Sequence, residues 1–266
     1  MRAVLAAAPP PRVALVPNAI AFRDPSRGLL GTGWTSCGSG SGFGCRPQGT
    51  ISLTSDGGKT WRVVLRTPRP VVAVGTLGST DWATFDDGEY LTSDDGGRTR
   101  RPTVVRPPQS APCPPAGGTY ALATTPSGAE WALCTTQGSA GSMGKSVYRL
   151  GPHGWRRVAY TPFAPPGPGG YGGIALPGYP LGIAMADDGF GLIWESRGTI
   201  YVTRDGGSQW LGLPKVAQPE VDFGFSAVAL PRGVGYVILA SGGTEKRRLI
   251  VTRDAGRTWH VVHVWR

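Results

Sequence analysis

Short apolar segments separated by turn-forming residues recur along this chain in a fixed order. A first apolar strand, such as VVAV at 71–74 or SAVAL at 226–230, precedes a turn rich in Gly, Asp, Ser or Pro. Then come a second strand (WATF, GLIW), a variable loop, a third strand (TIYVT, RLIVT), a tight Gly/Asp turn and a fourth strand (WHVVHV). Short apolar runs bounded by turns predict four antiparallel β-strands, joined by hairpins, in each unit.

The tight turn before the fourth strand marks the repeat. It reads TSDGGKTW at 54–61, SDDGGRTR at 93–100, TRDGGSQW at 203–210 and TRDAGRTW at 252–259, with a degenerate YRLGPHGW at 148–155. The last residues of these stretches are 39, 55, 55 and 49 residues apart. A four-stranded unit that repeats about every fifty residues is typical of a propeller blade.

We therefore predict an all-β fold, a single β-propeller of four-stranded antiparallel blades over residues 18–266, after an N-terminal extension or partial strand at 1–17. Five blades are expected, or six if residues 101–118 or the N-terminal RVALV add a sheet element. The predicted blades cover approximately 18–68, 69–110, 111–165, 178–217 and 222–266. The composition agrees, because 42 Gly and 25 Pro disfavour long helices while 9 Trp, 8 Tyr and 7 Phe can fill a core between short strands.

A structural role in the hairpin explains each residue type of the tight turn. Glycine adopts positive φ without a Cβ clash, Asp and Ser/Thr side chains accept hydrogen bonds from turn N–H groups, and the final Trp can enter the space between neighbouring sheets. The residues given this role are Thr54, Asp56, Gly58, Trp61, Ser93, Asp95, Gly97, Thr203, Asp205, Gly207, Trp210, Thr252, Asp254, Gly256 and Trp259.

The four cysteines, Cys37, Cys45, Cys113 and Cys134, are read as disulfide-forming, with free thiols as the alternative. They form no Cys-x-x-Cys unit and no metal-ligand pattern with the three histidines, so no metal site is predicted. Disulfides indicate an extracytoplasmic location. The N-terminal MRAVLAAAPPPRVALV is a poor secretion signal, and no stretch is long and apolar enough to predict a transmembrane helix.

The consensus of the tight turns, Ser/Thr-x-Asp-x-Gly-x-Thr-Trp, resembles the Asp-box, or bacterial neuraminidase repeat. TSDGGKTW and TRDAGRTW match it throughout, whereas TRDGGSQW carries Gln209 for Thr and SDDGGRTR carries Arg100 for Trp. Propellers with this repeat include sialidases, xyloglucanases, sortilin-type receptors and photosystem II assembly factors. The resemblance implies that the boxes lie at the outer edge of the face opposite the ligand site. It does not determine a function.

A carbohydrate-active enzyme of sialidase-like or other glycosidase type is the alternative function. Phe22-Arg23-Asp24-Pro25 is similar to the sialidase Phe/Tyr-Arg-Ile-Pro motif, which implies a substrate-binding role for Arg23, although the stretch occupies a first-hairpin slot. A glycosidase also needs two carboxylates facing each other across the scissile bond. Glu89 and Glu195, on loops between second and third strands, are the weak catalytic candidates.

The leading hypothesis is a non-enzymatic, extracytoplasmic binding or assembly module. The loops between second and third strands and the inter-blade connections form the face opposite the boxes, and they concentrate basic and aromatic residues. With a net charge of +10, this face favours an anionic glycan or an acidic protein, unless its loops are merely solvated. Nucleic acid is disfavoured because no stacking platform is recognisable; no cofactor is expected, and the chain is expected to be monomeric. The predicted ligand-binding residues are Phe43, Arg46, Lys145, Tyr171, Arg197, Lys246, Arg247 and Arg248.

Overall fold

Five four-stranded antiparallel sheets make up the fold. The computed structural model describes residues 16–33, 48–102, 113, 121–161, 172–196, 198–213, 222–241 and 246–265. Within this part of the chain every regular element is a β-strand, and each sheet contains four strands that follow one another in sequence. The predicted all-β fold, a five-bladed propeller of four-stranded blades, is confirmed.

Each blade runs from an innermost first strand to an outermost fourth strand. Blade 1 comprises β1 (Val16–Phe22), β2 (Gly28–Gly33), β3 (Gly49–Thr54) and β4 (Arg62–Thr67). Blade 2 comprises β5 (Val71–Leu77), β6 (Thr80–Phe85), β7 (Tyr90–Ser93) and β8 (Arg101–Pro102). Blade 3 comprises β9 (Ala121–Thr124), β10 (Glu130–Thr135), β11 (Lys145–Gly151) and β12 (Gly154–Tyr160). Blade 4 comprises β13 (Pro180–Met185), β14 (Gly191–Glu195), β15 (Ile200–Thr203) and β16 (Leu211–Leu213). Blade 5 comprises β17 (Asp222–Leu230), β18 (Val234–Ser241), β19 (Arg247–Thr252) and β20 (His260–Trp265).

Apolar cores between neighbouring blades hold the sheets together. Because side chains alternate across a strand, each sheet can bury one set of residues on each side. Blades 1 and 5 share a core in which the Phe22 and Tyr236 rings stack with centroids 3.9 Å apart. Similar cores join blade 1 to blade 2, blade 5 to blade 4 and blade 4 to blade 3. The described cores thus connect the blades in the order 2, 1, 5, 4, 3.

The Gly/Asp turns form one face of the propeller, which we call the box face, together with the turns between first and second strands. In blade 5 the Thr252 hydroxyl donates to Asp254 at 2.8 Å and accepts from the Gly256 N–H at 2.8 Å. The Thr258 N–H and hydroxyl both donate to the Asp254 carboxylate, at 2.9 and 2.6 Å. The turns of blades 1, 2 and 4 contain the same hydrogen bonds to the Thr or Ser hydroxyl and to the Asp carboxylate. In blade 4, Gln209 replaces the second Thr, so only its backbone N–H donates to the carboxylate.

The residue that ends each Gly/Asp turn differs between blades in its burial. Trp210 is buried between blades 3 and 4, and its Nε1 donates to the Gly207 carbonyl at 2.9 Å. Trp61 and Trp259 are half-buried. In blade 2 the position is Arg100, which donates to the Val64 carbonyl of blade 1 at 2.7 Å. Blade 2 is therefore held to blade 1 at this point by a polar contact instead of a buried indole.

Replacing Trp210 by Ala should lower the free energy of unfolding by about 3–5 kcal/mol, because the change leaves a cavity between two sheets. Urea unfolding followed by circular dichroism measures this. Leu211→Ala is the control: its side chain is 53% exposed, so the loss should stay within about 0.5 kcal/mol. Equal losses for the two variants would contradict the structural role of Trp210.

Acid should weaken the fold through the turn aspartates. Hydrogen bonds from Thr60 hold the pKa of Asp56 at about 2, and those from Thr99 hold the pKa of Asp95 at about 2; Thr258 lowers the pKa of Asp254 in the same way. A carboxylate whose pKa is depressed by folding stabilises the protein above its unfolded pKa, and this contribution disappears as the pH falls to the folded pKa. The stability that these groups supply should therefore be lost between about pH 4 and about pH 2.

Urea midpoints measured across this pH range test the expectation. Asp254→Asn should reduce stability at neutral pH and flatten the loss in acid. Asp86→Asn, an exposed aspartate whose carboxylate accepts no hydrogen bond from the described residues, should leave both unchanged. If the urea midpoint fell equally steeply with acid in wild type and in Asp254→Asn, the stabilising role of the Asp254 carboxylate would be contradicted.

Candidate functional site

A central cavity of about 1080 Å³ is bounded by the first strands of all five blades. Segments 20–22, 73–77, 122–124, 183–185 and 227–230 of these strands form its inner wall. The wall carries small side chains, including the half-buried Ala73, Ala184 and Ala227. Short residues at the axis leave the space unfilled, so the cavity follows from the sequence of the inner strands.

The cavity extends outward from the axis over the sheet of blade 2. Trp82, Thr84, Gly88, Glu89, Tyr90, Pro102 and Pro126 complete its described lining. Ala83 and Phe85 point into the core shared with blade 1, so the alternation of strand β6 directs Trp82 and Thr84 to the opposite side of the sheet. This side is the one nearer blade 3. The cavity therefore opens at the junction of blades 2 and 3.

A stacked aromatic pair covers the blade 2 wall of this cavity. The Trp82 and Tyr90 rings have centroids 5.6 Å apart and planes inclined by 20°. The Trp82 ring lies directly on Gly75, where a Cβ would come within 2.1 Å of the indole. Both side chains are half-buried, and burial raises the pKa of the Tyr90 hydroxyl. The pair thus offers an uncharged aromatic surface with a hydroxyl donor.

Arg69 forms ion pairs with the acidic residues at the rim of the cavity. Its guanidinium pairs with Asp87 at 2.6 Å and also with Glu89, and it stacks over Phe85 with the ring centroid 4.7 Å away. These two hydrogen bonds raise the pKa of Arg69. The Glu89 carboxylate, suggested by the sequence as a catalytic candidate, is therefore engaged in an ion pair.

A disulfide lies on the blade 3 side of the junction. Cys113 and Cys134 are joined with an S–S distance of 2.05 Å and Cα atoms 5.2 Å apart. Leu133 and Trp131 belong to the core shared with blade 4, so the alternation of β10 places Cys134 on the face nearer blade 2. The disulfide thus attaches Cys113, which lies in the chain between blades 2 and 3, to this face. Cys37 and Cys45 lie outside the described residues.

The second catalytic candidate, Glu195, is fully buried beside Lys145. The Glu195 carboxylate pairs with the Lys145 ammonium at 2.8 Å, and both side chains are 0% exposed. Lys145 also donates to the Ala175, Leu176 and Pro177 carbonyls at 2.6, 3.1 and 3.1 Å. The pair therefore joins blade 3 to blade 4 and to the chain leading into β13.

Burial governs the ionisation of this pair. It raises the pKa of Glu195 and lowers the pKa of Lys145, while each partner opposes the shift of the other. Burial and the Glu195 charge also raise the pKa of Tyr201 to about 12. The expectation that Lys145 and Glu195 lie on an exposed ligand face thus differs from the structure, which brings them together in the interior.

The remaining predicted ligand-binding residues are dispersed. Arg247 is half-buried, donates to the Pro17 carbonyl of blade 1, and has its pKa lowered by burial to about 10. Lys246 is exposed, and Arg248 is half-buried. The other four lie outside the described residues: Phe43, Arg46, Tyr171 and Arg197.

Arg23 lies on the box face, directly after the inner strand β1. Its Nη2 donates to Asp81 and to the Ser79 carbonyl, both at 2.7 Å, and so links blade 1 to blade 2. Desolvation raises the pKa of Asp81, and the Arg23 charge opposes that shift. The similarity to the sialidase motif implied that Arg23 binds substrate. In the structure, Arg23 instead makes a contact between blades 1 and 2.

Trp82 and Tyr90 were not among the site residues predicted from the sequence. The alternation of side chains within WATF and EYLTS could have indicated them. Because Ala83 and Phe85 face the junction of blades 1 and 2, Trp82 must face the opposite junction. Among the described residues, no group of three His, Cys, Asp or Glu side chains could hold a metal ion. The same part of the chain contains no helix that is long and apolar enough to cross a membrane.

Comparison with known proteins finds similar solved structures but no sequence relative. No protein-family model and no curated protein sequence matches the chain. Among solved structures, YCF48 from Cyanidioschyzon merolae aligns over 95% of this chain and 86% of its own, at 13% identity and a TM-score of 0.42. YCF48 bound to D1 peptide aligns over 94% and 82%, at 14% identity and a TM-score of 0.31. A protein of unknown function from Dyadobacter fermentans aligns over 89% and 78%, at 12% identity and a TM-score of 0.46.

Removing either partner of the Lys145–Glu195 pair should be costly. Lys145→Met or Glu195→Gln should each lower the free energy of unfolding by about 3–5 kcal/mol, because an uncompensated buried group remains. The double variant should lose less than the sum of the single losses. A double-mutant cycle from urea unfolding measures the coupling, and additive losses would contradict the pairing.

Proposed function

We propose that the chain is a non-enzymatic binding or assembly module whose central cavity receives an apolar or aromatic segment of an acidic protein partner. The observation that carries this proposal is the Trp82–Tyr90 pair on a wall of small apolar residues. Recognition sites are commonly concave and mostly apolar, with a few polar groups that fix orientation. The half-buried aromatic rings and the large cavity fit that description.

In this proposal, apolar contacts stabilise the bound complex, and the positive charge of the protein speeds the approach of an acidic partner. Covering exposed parts of the two rings removes apolar surface from water, which is favourable by about 25 cal/mol for each Å² buried. The net charge of +10 attracts acidic partners over longer distances. The two effects act on different parts of the binding process, the first on dissociation and the second on association.

The contacts of the two candidate carboxylates favour binding over glycoside hydrolysis. A glycosidase needs an acid and a base that both reach the substrate. Glu89 is paired with Arg69, and Glu195 is enclosed with Lys145 between blades 3 and 4. Each carboxylate thus has a structural partner that accounts for it.

We also infer an extracytoplasmic location and membership of the Asp-box propellers. The Cys113–Cys134 disulfide supports the location, since such bonds persist in oxidising compartments. Shared hydroxyl and carboxylate bonds in the turns of blades 1, 2, 4 and 5 support the membership.

Selection of short random peptides displayed on phage tests the proposed function. Peptides enriched on the wild-type protein should combine an aromatic or large apolar residue with Asp or Glu. Trp82→Ala should weaken their binding about tenfold or more, equivalent to about 1.4 kcal/mol, through loss of the aromatic surface. Trp82→Phe is the matched control and should retain most of the affinity.

Two results would count against the proposal. One is enrichment of no peptide on the wild-type protein. The other is equal binding by wild type and Trp82→Ala, with both variants giving native circular dichroism. Retention on heparin in place of acidic peptides would instead favour an anionic glycan as the partner.

A further inference from the structure

A second cavity, of about 480 Å³, lies on the box face between blades 1 and 2; we call it the blade 1–2 pocket. It shares no described lining residue with the central cavity. Its walls come from the first hairpin of blade 1, the Gly/Asp turns of blades 1 and 2, and the start of β4. Arg23 is the one lining residue for which the sequence suggested a ligand role, through the similarity to the sialidase motif.

Three arginines, Arg23, Arg27 and Arg62, line the pocket. The Arg23 bonds to Asp81 and to the Ser79 carbonyl both use a single nitrogen, Nη2. Arg27 pairs with Asp24 at 2.7 Å through Nε alone. Because a guanidinium has five N–H donors, both side chains retain donors beyond these contacts.

Arg62 is the lining arginine that forms no ion pair within the described residues. Its side chain is exposed and makes no hydrogen bond or ion pair with any residue in the described ranges. The carboxylates of Asp81 and Asp24 compensate the other two arginines. Among the side chains that line the pocket, three arginines thus stand against one carboxylate, that of Asp81, and the guanidinium groups leave an excess of N–H donors.

Trp61 and Ser55 complete the chemistry of the pocket. The Trp61 indole is fixed by an edge contact with Phe22, at a centroid distance of 6.1 Å, and by its Nε1–H bond to the Gly58 carbonyl at 3.0 Å. It remains partly exposed, so it can contact the body of a ligand. The exposed Ser55 hydroxyl adds a donor.

We propose that the blade 1–2 pocket binds a tetrahedral oxyanion, a phosphate or sulfate ester on a sugar-sized ligand whose body rests against Trp61. Guanidinium groups match the oxygens of phosphate or sulfate through charge-assisted hydrogen bonds. A tetrahedral ester presents three terminal oxygens and can use more of the donors than a carboxylate, which presents two. The rigid indole contributes apolar contact at little entropic cost.

Titration of the protein with defined small probes tests this site. Glucose 6-phosphate and glucose 6-sulfate are the oxyanion probes, glucuronate is the carboxylate probe, and glucose is the uncharged control. The indole Nε1–H signal of Trp61 in a ¹H–¹⁵N spectrum, assigned with Trp61→Phe, reports binding. The two esters should shift this signal and bind at least about fivefold more tightly than glucuronate, whereas glucose should have no effect.

Arg62→Ala should weaken ester binding about tenfold or more, and Arg27→Ala should also weaken it. Arg66→Ala removes another exposed arginine of strand β4, outside the pocket, and should change nothing. The proposal would be overturned by equal shifts with glucose, by tighter binding of glucuronate, or by unchanged ester binding in Arg62→Ala. None of these outcomes bears on the central cavity, because the two sites are separate.

Discussion

Apolar packing between neighbouring sheets is the constraint on which the rest of this structure depends. A four-stranded blade cannot bury both of its faces alone, so each gains stability only from the blades beside it. The stacked rings of Phe22 and Tyr236 illustrate this, because they join the first blade to the last. Within the described ranges, blades 1 and 5 are therefore joined by contacts between side chains, and each sheet contains strands of one blade.

Polar contacts on the box face follow the same order of blades as the apolar cores. Arg23 joins blade 1 to blade 2, and the Tyr236 hydroxyl donates to the Pro25 carbonyl to join blade 5 to blade 1. Asp188 accepts from the Arg232 N–H at the junction of blades 4 and 5, and Asp187 accepts from Ser127 at that of blades 3 and 4. The described links thus leave the junction of blades 2 and 3 to the cavity and the disulfide.

Two of the basic residues that the sequence assigned to ligand binding instead make contacts that hold the blades together. A basic chain invites the interpretation that its cations face a ligand, yet Lys145 and Arg247 donate to backbone carbonyls at blade junctions. Each is the first residue of a third strand, so it reaches the entry to the following blade. Their ammonium and guanidinium groups thus link a third strand to the chain at the start of the neighbouring blade. Arg62, by contrast, is exposed and makes no such contact within the described ranges.

The sequence by itself determined the blades. Positive-φ glycines, a carboxylate and a hydroxyl at fixed spacing close the hairpins, and these interactions extend over a few residues, so a short stretch encodes them. Only the tertiary structure decided which side chains meet between blades. The alternation in WATF gives Trp82 and Ala83 opposite faces but does not say which neighbour lies on each side. Burial of Lys145 with Glu195, and exposure of Trp82 to a cavity, depend on contacts between residues far apart in the chain, which no local pattern records.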